Sequence, residues 1–429
     1  MQMRKYKLGD IATVEISGVD KKVKDGEENI HLCNFVDVYY NWAITMARHD
    51  NFMLATARPN EISKFQLRKG QVALTKDSET RDDIGISTYI ADDFDDVILG
   101  YHCALITPNK DILDGRYLNA LMHTDYAKKY FAFNASGSGQ RYALSAETLN
   151  SFPVPVIPLQ KQKQIGEIFS ALDKKIELNK QINQNLEAMA KQLYDYWFVQ
   201  FDFPNEEGKP YKSSGGAMVW NEELKREIPQ GWSNMSIGDY APCKSGYAFK
   251  SKDFGDKGLS VIKIGNIQEN YTLDMTDSQC IDLFNKTLFL AKRYDLVIAM
   301  TGATIGKFAI SQSNYWVNQR VGRFDLGDRP LLRLGFLFNS LKQEYFREQV
   351  FQIACGCAQP NISAEQIDSI SILKPNDVIL NQFNKLCEPL LELQSENYLQ
   401  IEELTKQRDE LLPLLMSGQV SVNSDLSRD

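Results

Sequence analysis

The chain has 429 residues and lacks any run of about 18 apolar residues, so we expect no membrane span. Its start, MQMRKYKLGDIATVEI, lacks the apolar core of a secretory signal, and we expect a cytoplasmic protein with no membrane partner. The seven cysteines are odd in number and lack the spacing of a zinc site. Cys355-Gly-Cys357 is the only close pair, and we interpret it as two small buried residues in a reducing compartment. With only four histidines, we expect no histidine-rich metal site.

The chain also lacks the motifs of common enzymes. It has neither the Asn/Asp-Pro-Pro-aromatic tetrapeptide nor the glycine-rich cofactor loop that would indicate a methyltransferase. It also has no Gly-x-Ser-x-Gly motif or Cys–His pairing that would indicate a catalytic nucleophile. The segment Gly302–Lys307 has three residues between its glycines where a phosphate loop has four, and Phe308 stands where that loop has Ser or Thr. The acidic segment 92–96 lacks a following Glu-x-Lys, and we interpret it as solvated loop charges. We therefore expect no catalytic residue and no metal ligand in this chain.

The formal net charge of −8 is concentrated near the end of the chain. Residues 376–429 hold 10 acidic and 4 basic side chains, which account for most of the excess. The segments before them are nearly neutral, so a local basic face is possible there. An acidic helix is poorly suited to contact phosphate and better suited to contact a protein.

Two long stretches, residues 158–198 and 376–418, predict helices that pair as a coiled coil, because apolar residues recur every three or four positions. A shift of 218 residues brings the two apolar stripes, and an asparagine in each, into coincidence. The predicted seam consists of Leu172, Ile176, Asn179, Leu186, Leu193, Leu390, Leu393, Asn397, Leu404 and Leu411. The alternative is two unrelated amphipathic helices. We expect a break or kink at Pro389.

The segments 1–157 and 233–375 predict two similar domains, because short motifs of the first recur in the second. Ile237-Gly-Asp239 repeats Leu8-Gly-Asp10, Ile298–Thr301 repeats Val72–Thr75, and Ser363-Ala-Glu365 repeats Ser145-Ala-Glu147. Residues 199–232 are a predicted linker, 114–135 a predicted helix and 419–429 a tail. The predicted fold class is α+β, with two similar mixed α/β domains separated by two long helices that form an antiparallel coiled coil, a pseudo-twofold internal repeat.

Polar side chains in loops and at strand ends are the candidate DNA contacts, because Arg can bridge guanine and Gln can bridge adenine in the major groove. The candidates are Lys76, Arg81, Gln140, Arg141, Thr301, Thr304, Lys307, Gln319, Arg320, Arg323 and Gln359. For each of them, an ordinary polar surface residue is the alternative interpretation.

The order of domain, long helix, domain and long helix resembles the specificity subunit of type I restriction–modification enzymes. The most specific segments are Gln164–Ile168 with Leu172-Asp173, Asp195–Phe198 with Gly208–Gly216, and Thr301–Lys307. The resemblance implies that residues 1–157 and 233–375 are target-recognition domains, each recognising one half of a split double-stranded DNA sequence. Residues 158–198 and 376–418 would be the central and distal spacer helices that set the gap between the halves.

The resemblance also implies partners. Two methylation subunits would dock on the helices, and restriction subunits would join through them. S-adenosylmethionine, ATP and Mg would act on those partner subunits, and this chain would carry no cofactor. The alternative function is a cytosolic scaffold whose two repeat domains, on a coiled-coil rod, bind protein or peptide. DNA binding should weaken steeply with salt, whereas protein binding should change less.

Overall fold

Two α/β units are present in the computed structural model of the chain, which describes residues 4–137, 141–282, 285–354 and 360–419. The units divide between Leu178 and Asn179 and again between Ile401 and Glu402. Unit 1 therefore includes the start of the first long helix and the end of the second, and unit 2 includes the remaining part of each. Among the described residues, no helix has both the length and the apolar character needed to cross a bilayer.

Unit 1 is built around a five-stranded sheet. Its strands are β1 (Arg4–Lys7), β2 (Ala12–Ile16), β3 (Glu28–Cys33), β4 (Ala43–Ile44), β5 (Met53–Ala57), β6 (Val72–Thr75), β7 (Asp77–Ser78), β8 (Ser87–Ile90), β9 (Val97–Leu99), β10 (Cys103–Pro108), β11 (Ser136–Gly137), β12 (Tyr142–Ala143) and β13 (Pro153–Val156). Its helices are α1 (Leu8–Ile11), α2 (Phe35–Tyr39), α3 (Pro59–Phe65), α4 (Gly115–Met122), α5 (Asp125–Asn134) and α6 (Ala146–Asn150), followed by the long α7 (Leu159–Tyr194). The sheet order is β2-β10-β6-β8-β4, with smaller sheets β5-β3-β9, β11-β12-β7 and β1-β13.

Unit 2 contains two four-stranded sheets. Its strands are β14 (Met218–Asn221), β15 (Arg226–Pro229), β16 (Ser233–Ser236), β17 (Cys243–Ser245), β18 (Leu259–Ile262), β19 (Cys280–Ile281), β20 (Leu290–Ala291), β21 (Leu296–Ala299), β22 (Phe308–Ile310), β23 (Tyr315–Val317), β24 (Val321–Phe324) and β25 (Ser371–Lys374). Its helices are α8 (Ile237–Tyr240), α9 (Leu331–Leu341), α10 (Glu344–Ala354) and α11 (Ala364–Asp368), followed by the long α12 (Asp377–Ser417). The sheet orders are β17-β24-β21-β22 and β19-β18-β23-β20, with the pairs β16-β25 and β14-β15.

The two units share one topology, which confirms the predicted internal repeat. The order β2-β10-β6-β8 in unit 1 corresponds to β17-β24-β21-β22 in unit 2, and β1-β13 corresponds to β16-β25. Cys103 faces Thr75 in unit 1, and Val321 faces Ala299 in unit 2. Ala299 therefore follows its equivalent Thr75 by 224 residues, and Val321 follows Cys103 by 218.

This register corrects one motif match. The strand equivalent to Val72–Thr75 is Leu296–Ala299, so the match to Ile298–Thr301 is wrong by two residues. A two-residue shift along a strand leaves every side chain on the same face, so an apolar pattern cannot detect it. The two strands are also buried at every position, which removes the polar alternation that would have fixed the register.

A repeated close contact explains the matching glycines at the start of each unit. A Cβ atom at Gly9 would lie 2.6 Å from Asn150 Oδ1, and one at Gly238 would lie 2.8 Å from Asp368 Cβ. In both units a short helix near the start packs on the short helix before the last strand. Only a residue without a Cβ atom allows this approach, so the motif is a packing signature of the fold.

The single helix predicted for residues 114–135 is wrong, because two helices, α4 and α5, are present there. Thr124 interrupts the helical pattern. Its hydroxyl donates to the carbonyl of Leu121 at 2.6 Å, and it caps α5 by accepting from the N–H of Ala127 at 3.4 Å. Unit 2 has the same division between α9 and α10.

The second long helix passes through Pro389 without a break. α12 is continuous from Asp377 to Ser417, so the expected break is wrong. Pro389 is exposed, and water can bind the carbonyl that loses its intrahelical partner. On the other face, Phe383, Cys387 and Leu391 are buried in the core of unit 2, which holds the helix on both sides of the proline.

Within unit 2, a polar network joins α7 to α12. Asn183 Nδ2 donates to the carbonyl of Gln394 at 3.2 Å, and Asn397 Nδ2 donates to Asn183 Oδ1 at 3.0 Å. Asn179 Nδ2 donates to Gln400 Oε1 at 3.1 Å. Residue numbers rise along one helix as they fall along the other, so the two helices are antiparallel here, as predicted. Buried amides satisfied by one another in this way specify register.

The seam differs from the prediction at one position. Leu393 is 43% exposed, and its assignment to the seam is wrong, because Leu391 and Gln394 occupy the buried positions around it. Three of the predicted leucine and isoleucine positions, Ile176, Leu186 and Leu404, are buried. The others are half-buried, namely Leu172, Leu193, Leu390 and Leu411.

Residues 199–232 contribute to the core of unit 2. Phe201, Phe203 and Trp232 are buried there, and the hairpin β14-β15 adds Ile228. The rings of Phe203 and Trp232 stack with centroids 4.6 Å apart. Aromatic side chains packed in this way fix the segment on the unit.

Candidate nucleic-acid interface

Candidate DNA contacts of both units lie next to equivalent strand ends, with Lys76 in unit 1 and Gln319 and Arg320 in unit 2. The N–H of Lys76, just after β6, donates to the carbonyl of His102 at 2.8 Å. In unit 2 the N–H of Met300, just after β21, donates to the carbonyl of Arg320 at 3.0 Å. His102 and Arg320 immediately precede β10 and β24, so they hold equivalent positions. The duplicated fold thus places one cluster of polar side chains per unit at this strand end.

In unit 1 the cluster is organised around Asp77. Asp77 Oδ2 lies 2.8 Å from Lys76 Nζ and 3.8 Å from Arg141 Nη2, and it accepts a hydrogen bond from His102 Nδ1. Arg141 Nη2 also lies 3.1 Å from His102 Nε2. The side chain of Asp77 is 11% exposed and that of Arg141 is 63% exposed. Arg141 can therefore meet a ligand, whereas the charge of Lys76 is already compensated by Asp77.

The charge state of Asp77 follows from its partners. Burial raises the pKa of Asp77, but the hydrogen bonds from Lys76 and His102 outweigh burial and hold that pKa below its usual value. An ionised carboxylate therefore remains at the centre of the cluster at neutral pH. It orders the cationic side chains around it and reduces their net charge.

A surface groove of about 550 Å³ opens beside this cluster, with Asp77 and Arg141 in its wall. Phe35, Tyr39 and Tyr40 supply aromatic faces to the same groove. The hydroxyl of Tyr39 donates to Asp83 at 2.7 Å, and this hydrogen bond raises the pKa of Tyr39 to about 12. Aromatic rings can stack on the faces of bases, and fixed hydrogen-bonding groups can pair with base edges.

The side chain of Arg81 packs against the small three-stranded sheet of unit 1. Its guanidinium carbon is 5.0 Å from the centroid of the Tyr142 ring. Tyr142, on β12, faces Ser78 on β7, next to Asp77. A guanidinium held on an aromatic face is oriented in advance and keeps its exposed charge for a ligand.

The turn at Thr301–Lys307 in unit 2 is less exposed than we expected. Thr301 is 8% exposed, and its hydroxyl donates to the carbonyl of Pro360 at 3.3 Å, so the prediction that it contacts DNA is wrong. The hydroxyl of Thr304 is buried and has no hydrogen-bond partner among the described residues. Lys307 Nζ lies 3.1 Å from Glu269 Oε1 in a surface pair that water screens, so its charge stays available.

Gln319 and Arg320 are exposed at the start of β24, but Arg323 is not. Arg323 Nη1 lies 3.0 Å from Asp295 Oδ2, and their side chains are only 12% and 7% exposed. The prediction that Arg323 contacts DNA is therefore wrong, because Asp295 neutralises its charge in the interior of unit 2. Leu105 occupies the equivalent position in unit 1, and this apolar residue was a signal that the position faces the core.

Two of the predicted contacts, Gln140 and Gln359, lie outside the described residues. Three participants were missed, namely Asp77, His102 and Tyr142. Asp77 directly follows Lys76, so sequence adjacency pointed to it. The approach of His102 depends on strand pairing across 25 residues, which local patterns do not reveal.

The fold and the candidate site define a class: a duplicated α/β protein that presents polar side chains at one edge of each repeat. The sequence model of the type I restriction modification DNA specificity domain matches residues 2–188 and 229–403. These two matches cover most of the chain, and the chain belongs to this family.

Relatives and a solved structure agree with this assignment. The type I restriction enzyme HindI specificity subunit of Haemophilus influenzae is 23% identical over 474 aligned positions, which cover 97% of this chain and 99% of that protein. The MjaIX specificity subunit of Methanocaldococcus jannaschii is 25% identical over 317 positions, 73% of this chain and 71% of that protein. The crystal structure of the type I restriction–modification S subunit from M. genitalium has a TM-score of 0.60 at 13% identity and covers 97% of this chain and 96% of that one. The structural likeness supports the predicted fold of two α/β units and two long helices, and nothing in the comparisons supports the scaffold alternative.

Proposed function

We propose that this chain is the DNA sequence-specificity subunit of a type I restriction–modification complex, and that each unit recognises one half of a bipartite DNA target. The observation that carries the proposal is the repeated polar edge. Arg81 and Arg141 in unit 1 are exposed beside the cluster of Asp77 and His102, and Gln319 and Arg320 in unit 2 are exposed at the strand end equivalent to that of His102. Arginine and glutamine side chains can make the bidentate base contacts that discriminate between sequences.

The proposed role of the two long helices is to set the gap between the half-sites and to dock two methylation subunits. Their length of 36 and 41 residues and their buried, register-fixing amides support a rigid spacer. Residues 376–429, with an excess of acidic side chains, suit protein contact better than phosphate contact. Restriction subunits would join through the methylation subunits.

The chain itself is proposed to be non-catalytic. S-adenosylmethionine, ATP and Mg would belong to the partner subunits, and this chain would contribute recognition and positioning. Two half-sites joined by one spacer combine their affinities, since binding of the first half raises the effective concentration of the second.

A map of methylated adenines in the host, with and without this gene, tests the proposal. A split motif should vanish on deletion. Complementation with Arg141→Met should then relax one half of the motif, and complementation with Arg320→Met should relax the other half. Loss of the same half in both variants, or a methylome that does not depend on the gene, would contradict the proposal.

A further inference from the structure

His31, His49 and Asp96 converge in unit 1, outside the candidate DNA contacts. His31 Nδ1 lies 2.7 Å from Asp96 Oδ2, and His49 Nε2 lies 2.9 Å from Asp96 Oδ1. The two imidazole rings have centroids 4.3 Å apart. One ligand atom from each residue falls within 4.8 Å of the others. We propose that these three residues bind a divalent transition-metal ion of the Zn²⁺ type.

The backbone around the three residues holds them in place. The N–H of His31, on β3, donates to the carbonyl of Asp96 at 2.9 Å, just before β9. Phe52 and Phe94, which lie close in sequence to His49 and Asp96, are buried with ring centroids 6.1 Å apart. The ligands therefore come from a strand and two segments that are fixed by packing, as a preorganised site requires.

The surroundings of His49 are those of a metal-binding histidine. Asp50 Oδ1 lies 3.0 Å from His49 Nδ1, which leaves Nε2 to face Asp96. Metal-bound histidines almost always donate their second N–H to such a carboxylate or carbonyl, which fixes the tautomer and ring orientation. Two neutral imidazoles and one carboxylate, with water in the fourth position, form a ligand set that Zn²⁺ accepts. Mg²⁺ and Ca²⁺ prefer oxygen ligands alone.

A metal ion can reach the site from solvent. The side chains of His31, His49 and Asp96 are 23%, 27% and 44% exposed. Asp92, Asp93 and Asp95, which precede Asp96 in the sequence, add local negative potential that favours binding of a cation. Asp92 already joins the same segments, because its Oδ2 accepts a hydrogen bond from the N–H of Met46 at 2.8 Å. A metal ion would strengthen this connection between the 3₁₀ segment Met46–Asn51 and the strands.

The repeat in unit 2 indicates that the shared scaffold does not need this site. The parallel pair β18-β23 corresponds to β3-β9, and its register makes Ser260 the equivalent of His31 and Asn314 the equivalent of Asp96. Neither serine nor asparagine is a strong ligand for Zn²⁺. The proposal therefore predicts one metal ion per chain, held by unit 1.

Zinc titration of the full chain against a competing chelator tests the proposal. The titration uses a Cys355→Ser/Cys357→Ser background, because two thiols separated by one residue in the sequence would compete for zinc. One equivalent should bind, and Co²⁺ in its place should give a visible spectrum without thiolate charge transfer. His49→Ala and Asp96→Asn should weaken zinc binding by at least about 100-fold, and Asp50→Asn by about 10-fold, the range seen for outer partners.

The matched control is His102→Ala, which removes the histidine that pairs with Asp77 in the other cluster of unit 1. It should leave zinc affinity within about twofold of that of the parent. Zinc should raise the unfolding temperature of the parent but not that of Asp96→Asn. Asp50 is fully exposed, so the effect of Asp50→Asn cannot come from misfolding. Equal zinc affinities in His49→Ala and His102→Ala, or no stoichiometric binding by the parent, would mean that the three residues form a hydrogen-bonded network only.

Discussion

Replacing Arg323 with methionine separates a structural role from DNA contact. Methionine keeps much of the apolar length of the side chain but removes the cation that lies 3.0 Å from Asp295. Asp295 would retain the N–H of Lys292, which its Oδ2 accepts at 2.9 Å, but its side chain is only 7% exposed. Removing one partner of a buried ion pair costs about 3–5 kcal/mol, so we expect unit 2 to lose stability on this scale.

The loss of stability should depend on pH. Burial raises the pKa of Asp295, and Arg323 is among the groups that oppose this rise. Without Arg323 the folded-state pKa should rise further above the unfolded value of about 3.9. The folded state then binds more protons than the unfolded state in the interval between the two values, so stability falls as pH rises through the interval. Arg323→Met should therefore be most destabilised at neutral pH and partly recover at acidic pH.

Arg320→Met is the matched control, because Arg320 is exposed only three residues earlier. It should change the free energy of unfolding by less than about 0.5 kcal/mol. It should weaken specific DNA binding by about 1–3 kcal/mol if it contacts a base. Urea unfolding at neutral and acidic pH and competition binding with target and non-target duplexes measure both effects. A variant Arg323→Met that is as stable as the parent but weak on DNA would refute the structural assignment.

Two further predictions concern the scaffold. Gly85→Ala should cost about 2–5 kcal/mol, because a positive φ costs about 1–2 kcal/mol and overpacking about 1–3 more. Gly85 has φ +82, and a Cβ there would lie 2.5 Å from the Phe131 ring; the control Gly26→Ala has φ +85 with nothing within 4 Å, so equal losses in urea unfolding would exclude the packing part. Matched seven-residue helical insertions after Lys180 and after Gln400 should lengthen the gap of the methylated motif by about three base pairs, since they add about 10 Å of helix. A methylome with an unchanged gap would contradict the spacer role.

The repeat and the long helices could be predicted because local rules determine them. The stripe that contains Ile176 and Leu186 needs only the period of a helix. The glycine of Leu8-Gly9-Asp10 could be matched to Gly238 because the same kind of close contact requires a glycine in each unit. Such features are carried by a few neighbouring residues and survive duplication.

The errors arose where long-range packing decides. Arg323 alternates with its neighbours in the way a surface residue does, but Asp295, which pairs with it, lies 28 residues away. Leu393 fits the heptad, yet the antiparallel pairing turns it outward and buries Gln394, whose carbonyl and amide meet Asn183. The metal-type cluster was missed because its residues are separated by up to 65 positions in the sequence.

The differences between the two repeats bear on the kind of DNA they would recognise. The scaffold contacts of Gly9 and Gly238 are equivalent, but the edge residues are not: His102 corresponds to Arg320. A side chain that presents one or two ring nitrogens and one that presents a five-donor fork cannot satisfy the same base edge equally well. Because the supporting strands are equivalent, this difference leaves the fold intact and would change only what the edge recognises. Two unlike edges on one chain therefore favour a target whose halves differ in sequence. A protein made of two identical repeats would instead favour a target with two identical halves.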